Sequence, residues 1–220
     1  MKKVIILLAL VSTAVFAWHG DPFSYYIGSD GKKHDLELRD DVYYDPVKNK
    51  PYSGKLTYSG CGECEVIHGN AKDGKLHGEY KIFHYESEKL QSVGNFKDGK
   101  RHGEDKSFYE SGKLESVGNY KDGKLHGESK GFYENGKLQS VGNYKDGNGE
   151  GKSFYESGKL QSVWNYKGGQ QDGKFETYYE NGELKSVQNY KNGERHGEWK
   201  EFNINGSLIK AENYKDGRKQ

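Results

Sequence analysis

The chain has 220 residues and a formal net charge of +1, from 34 Lys and Arg against 33 Asp and Glu. Lys and Glu alternate instead of clustering, which argues against a basic track for nucleic acid or a polybasic membrane anchor. Hydrophobic residues at 32% against 30% charged cannot fill a compact two-layer core, whereas 18 Tyr, 9 Phe and 31 Gly with only three Pro suit an extended repeat protein with regular turns.

Met1-Lys2-Lys3, an apolar run from Val4 to Val11 and small residues at Val15 and Ala17 read as a secretory signal peptide over residues 1–17. The apolar run is about half of the roughly 20 residues a spanning helix needs. Loss of Lys2 and Lys3 with this peptide takes the formal charge from +1 to −1. The expected destination is outside the cytoplasm: periplasm, cell surface or medium.

Residues 18–72 read as an N-terminal capping segment. It holds all three prolines, Pro22, Pro46 and Pro51, both cysteines, and a degenerate repeat start at Pro51-Tyr52-Ser53-Gly54. Cys61 and Cys64 are candidates for a local disulfide in an oxidising compartment. The alternatives are a redox pair, for which no helix start is at hand, and a zinc site, for which His68 would be one ligand and others are lacking.

From Asp73 the chain is one unit repeated. Asp98–Lys121 and Asp122–Lys145 are in register at a spacing of 24 residues, and six such units run over residues 73–217, followed by a tail at 218–220. Each unit carries Asp-Gly or Asn-Gly at its junction and Asn-Gly or Ser-Gly at its middle, with about ten residues rich in Tyr, Phe and Val between. Those pairs favour two-residue hairpin turns. The expected fold is all-β: an elongated, single-layer antiparallel meander of hairpins with about 12 or more strands. Two-residue turns would pair Tyr133 with Leu138 and Tyr120 with Leu125, placing these four on one face with glycines and serines between them. Phe132, Val117 and Val141 would occupy the other. The C-terminal edge would stay open, making edge-to-edge self-association a possible contact.

The stretches Gly103–Leu114 and Asn119–Lys124, reading Gly-Glu-x-Lys-x-Phe-Tyr-Glu-x-Gly-Lys-Leu and Asn-Tyr-Lys-Asp-Gly-Lys, resemble the bacterial variant of the MORN (membrane occupation and recognition nexus) repeat. The resemblance implies a β-meander without catalytic apparatus. It also implies an accessory role in attachment to proteins or membranes, and some bacterial relatives carry an antitoxin label.

Function is therefore expected from a surface, not from a reaction centre. No cofactor or metal motif is present: His77, His102, His126 and His196 recur two strands apart, about 9.6 Å, too far to share one zinc ion. The repeated Glu and Lys read as cross-strand charge pairs. The candidate binding face is the aromatic series Tyr109, Tyr120, Tyr133, Tyr144, Tyr155, Trp164, Tyr166, Tyr179, Tyr190 and Trp199, facing a protein, glycan or membrane-surface partner. The expectation is a non-catalytic binding or scaffold protein, with adhesion to host cells as one use; an envelope spacer and an antitoxin-like protein are the alternatives.

Overall fold

A computed structural model describes residues 23–27, 32–40, 42–46, 48–59, 66–84 and 87–220. The expected signal peptide and the Cys61 and Cys64 pair lie outside the described residues. What is described is all-β, a 21-stranded antiparallel sheet with a small three-stranded sheet beside it. Six two-stranded hairpins build the repeat region, from Gly78–Phe83 paired with Leu90–Lys97 to Gly197–Phe202 paired with Leu208–Lys215.

The two turn signals of each unit fold differently. At the junction both central residues take positive φ, 52° at Asp122 and 84° at Gly123, and Lys121 pairs with Lys124 across them. This is the two-residue type I′ turn expected for Asp-Gly. At the middle only the glycine is left-handed, 83° at Gly136, whose N–H donates to the Tyr133 carbonyl at 2.7 Å while the Tyr133 N–H donates to Lys137 at 2.8 Å. That is a type I turn closed by a glycine bulge, one residue longer than a two-residue turn.

The longer turn corrects the expected register. Leu138 pairs with Phe132 and not with Tyr133, and the pairing shifts between Gly131 and Phe132. Leu138 thereby leaves the tyrosine side and joins Phe132, Val117 and Val141. Tyr120 and Leu125 pair as expected.

A second irregularity lies at the His-Gly dipeptides and at Asp172-Gly173. Gly78, Gly103, Gly127, Gly173 and Gly197 all have φ between 83° and 98°. In the unit around Gly127 the pairing jumps from Gly118 opposite Ser129 to Tyr120 opposite Leu125, so two extra residues bulge from one strand.

Four strands between residues 23 and 72 extend the sheet. Gly54–Ser59 pairs with Val66–Lys72, which lies beside the first repeat strand, and Phe23–Ile27 joins the other side of Gly54–Ser59. The outermost strand is the three-residue Lys33–Asp35, a short edge that offers little to an approaching chain. Leu36, Leu56 and Ala71 form the small core here, with Tyr26, Tyr43, Tyr52 and Leu76 packed around them. Asp45, 2% exposed, accepts from the Tyr26 hydroxyl at 3.3 Å and pairs with the Lys48 ammonium at 3.0 Å.

Candidate functional site

Strand alternation gives the repeat sheet two unlike faces. One carries a row of Phe and Leu, a row alternating Val with Lys, and a row of Glu and Asn. Lys130, for example, lies between Val117 and Val141, and Glu128 faces Asn143. Here Lys81, Lys106, Lys130 and Lys200 each pair with the glutamate two residues before, at 2.6–3.0 Å.

The other face carries the tyrosines, and small residues make room for them. Ser153 and Ser162, both buried, share a hydrogen bond of 2.6 Å, and Thr177 and Ser186 share one of 2.7 Å. A methyl group on Gly142 would lie 2.6 Å from the Tyr144 ring, and one on Gly151 would lie 2.5 Å from the Trp164 indole, so each ring covers a glycine.

The rings on this face gather into three nests. Tyr80, Phe96, Arg101, Asp105 and Tyr120 form the first: the Tyr80 and Phe96 centroids lie 4.9 Å apart, and the Arg101 guanidinium stands 5.4 Å from the Tyr120 ring. Burial pushes the Asp105 carboxyl up and, with the nearby Asp105 charge, the Tyr80 phenol up, while the Tyr80 hydroxyl donates to Asp105 in a short hydrogen bond. Tyr144, Trp164 and Tyr166 form the second, with the Trp164 indole N–H donating to the Tyr144 hydroxyl at 3.1 Å. Burial pushes the Tyr166 phenol up to about 12. Tyr190, Trp199 and Tyr214 form the third, where Arg195 stacks 4.1 Å from the Trp199 ring. Beside it Glu212 is held down to about 2 by hydrogen bonds from Lys219, Tyr214 and Lys210.

Six of the ten aromatic candidates therefore share a face: Tyr120, Tyr144, Trp164, Tyr166, Tyr190 and Trp199. The other four sit at the mid-unit turns and point to the next repeat. The hydroxyls of Tyr109, Tyr133, Tyr155 and Tyr179 donate to the carbonyls of Phe132, Phe154, Tyr178 and Phe202 at 2.6–2.9 Å. Lys113 and Lys137 add parallel links to the carbonyls of Glu134 and Glu156.

The junction turns have a matching row that sequence reasoning missed. His77, His102, His126 and His196 each present Nδ1 to the carboxylate of the next junction turn, Asp98, Asp122, Asp146 and Asp216, at 3.1–3.7 Å. Where histidine is absent, Ser53, Asn148 and Asp172 accept instead from the backbone N–H of Asp73, Gly168 and Asn192. The signal was present in the sequence, a polar side chain at one position in every unit, but its target is fixed only by the stacking of turns. Among the described residues no three His, Cys, Asp or Glu converge to hold a metal ion. A shallow groove between two successive turns is lined by Asp172, Tyr190, Asn192 and His196.

Such an array, in which each hairpin touches and is pinned to the next, defines a β-hairpin repeat protein. The family model described as a MORN repeat variant matches residues 101–122, 125–146, 148–167, 171–192 and 195–216, and the chain belongs to that family. No curated protein sequence matches it. One solved structure with some likeness is a GtfA/B complex bound to UDP and GlcNAc, at 10% identity and a TM-score of 0.18. The match covers 75% of this chain and 29% of that one, and a similarity this low carries no argument about function.

Proposed function

We propose that this binding or scaffold module is exported and non-catalytic, and that it presents its repeated faces to an extended partner at a bacterial envelope or a host surface. The observation that carries this reading is the double pinning. Tyr and Lys links at one end of the strands, and at the other the hydrogen bonds of Ser53, His126, Asn148 and Asp172, tie hairpins to their neighbours, so the same side chains recur along the sheet at about 9.6 Å per repeat. A surface of that kind suits a polymer or an extended protein better than a small molecule.

The spacer reading draws on the same links, since four tyrosine hydroxyls serve the fold itself. Fractionation of the native host with protease shaving of intact cells separates the two. Digestion of the protein on intact cells, or its recovery from the medium, supports presentation to an outside partner. Full protection refutes it and leaves a periplasmic spacer.

A further inference from the structure

Folding sorts the lysines and glutamates that alternate along the chain. A two-residue turn sets the residue before it opposite the residue after it. In three successive turns both are lysine: Lys72 opposite Lys75, Lys97 opposite Lys100 and Lys121 opposite Lys124. All six are exposed, and none forms an ion pair among the described residues. Each turn also holds one exposed aspartate, Asp73, Asp98 or Asp122, so two lysines against one acid leave a net positive charge on each turn. Glu79, Glu104 and Glu128 pair with Lys81, Lys106 and Lys130, and the turn carboxylates of Asp98 and Asp122 face His77 and His102.

Like charges directly opposite one another destabilise a hairpin, and the turn does not require them. Later junctions of the same left-handed geometry carry Lys145 opposite Asn148, Lys167 opposite Gln170 and Lys191 opposite Glu194, and the last sets Lys215 opposite Arg218. The three lysine pairs occupy consecutive turns, and those turns abut. The Gly99 N–H donates to the Leu76 carbonyl at 2.8 Å and the Gly123 N–H to the Arg101 carbonyl at 2.9 Å. The result is a ladder of three lysine pairs along one edge, about 20 Å long at two strands per step. The opposite edge carries Glu110, Glu134, Glu156 and Glu180, all exposed.

We infer that this lysine ladder binds an acidic polysaccharide, a hydroxyl-rich polymer whose carboxylates or sulfates recur at sugar spacing. A nucleic acid strand would bring a phosphate about every 3.4 Å, most of them between rungs, and no aromatic side chain stands in the ladder to stack a base. Val42 and Pro51 lie against Gly74 at the first turn, but the turns' own residues are Lys, Asp and Gly and include no apolar side chain to enter a bilayer interface. The inference deepens the scaffold reading by naming a partner class, and it fails separately from it, because shaving does not depend on these lysines.

The test is made on the full chain with heparin and polygalacturonate as probes and neutral dextran as control. The unmodified protein is expected to bind both acidic polymers at about 50 mM salt and not dextran. Lys75→Gln/Lys100→Gln/Lys124→Gln, which introduces the residue found at Gln170, weakens binding on the order of 10- to 100-fold and lowers the slope of log affinity against log salt by about 2. The same three positions changed to Arg keep the affinity, and Lys106→Gln/Lys130→Gln/Lys152→Gln, which alters the inner row, changes it less than about threefold. Circular dichroism verifies that each variant is folded; if the Gln variant is not, Lys124→Gln alone is compared with Lys124→Arg. Failure of the unmodified protein to bind either acidic polymer, equal binding by the Gln and Arg variants, or tighter binding of oligo-dT or phosphatidylserine vesicles would overturn the inference.

Discussion

The tyrosine links between repeats can be weighed by removing single oxygen atoms. Tyr133→Phe deletes the donor to the Phe154 carbonyl, 2.6 Å away, and leaves the ring in place. A hydrogen bond of this kind contributes about 0.5–1.5 kcal/mol net, so the single change should lower stability by about 1 kcal/mol. The four links stand about 9.6 Å apart along the sheet. At that separation their losses add, to about 4 kcal/mol for Tyr109→Phe/Tyr133→Phe/Tyr155→Phe/Tyr179→Phe. In a linear array the loss falls on the coupling between neighbours, so unfolding should also become less cooperative. Urea denaturation followed by circular dichroism and by Trp164 and Trp199 fluorescence reads both effects. A quadruple variant within about 1 kcal/mol of the unmodified protein, with coincident transitions at both probes, would refute the assignment of these tyrosines as links between repeats.

Other outcomes follow from single residues. A methyl group on Gly149 would meet the Asn143 carbonyl oxygen at 2.0 Å, whereas one on Gly142 meets the Tyr144 ring; in thermal melts Gly149→Ala should therefore cost more than the 1–3 kcal/mol expected of ordinary overpacking, and Gly142→Ala should fall within about that range. Glu212 is held down to about 2 from its ordinary 4.5. Because the folded value lies below the unfolded one, its contribution is full above pH 4.5 and is lost as pH falls through 2. Glu212→Gln should therefore lose less stability than the unmodified protein as pH falls from 4.5 to 2, measured by the urea midpoint at each pH. His126→Ala removes an exposed contact to Asp146 at 3.1 Å and should change stability by less than about 1 kcal/mol at pH 7, measured by urea midpoint.

The meander was legible because its determinants are local. Asp-Gly in a period of 24 residues selects a type I′ turn on its own, and Tyr120 pairs with Leu125 as the dipeptide at Asp122 dictates. Asn135-Gly136 serves two turn types equally well, and the one adopted places only glycine in the left-handed region, which moved Leu138 to the other face. The His-Gly bulges were hidden for a related reason: glycine marks a permissive backbone without saying which partner strand requires it. The separation of Tyr133 from Tyr144 was likewise invisible. Both are tyrosines in strand-like sequence, and only the approach of the next hairpin shows that one donates to its backbone while the other lies over Gly142.

The sorting of charge was missed because alternation along a chain is not alternation in space. Lys121 and Lys124 are separated by an aspartate and a glycine in sequence, yet the turn sets the two lysines side by side and leaves Asp122 facing His102.

The serial character of the links has a mechanical consequence. Each hairpin is fastened only to its neighbours, so a force applied at the two ends of the array loads the junctions in series, and the weakest opens first without freeing the rest. Each release of one 24-residue unit would add about 80 Å of extended chain. A protein built this way lengthens in steps under tension and recovers as hairpins re-form against those still folded, as an extensible tether does.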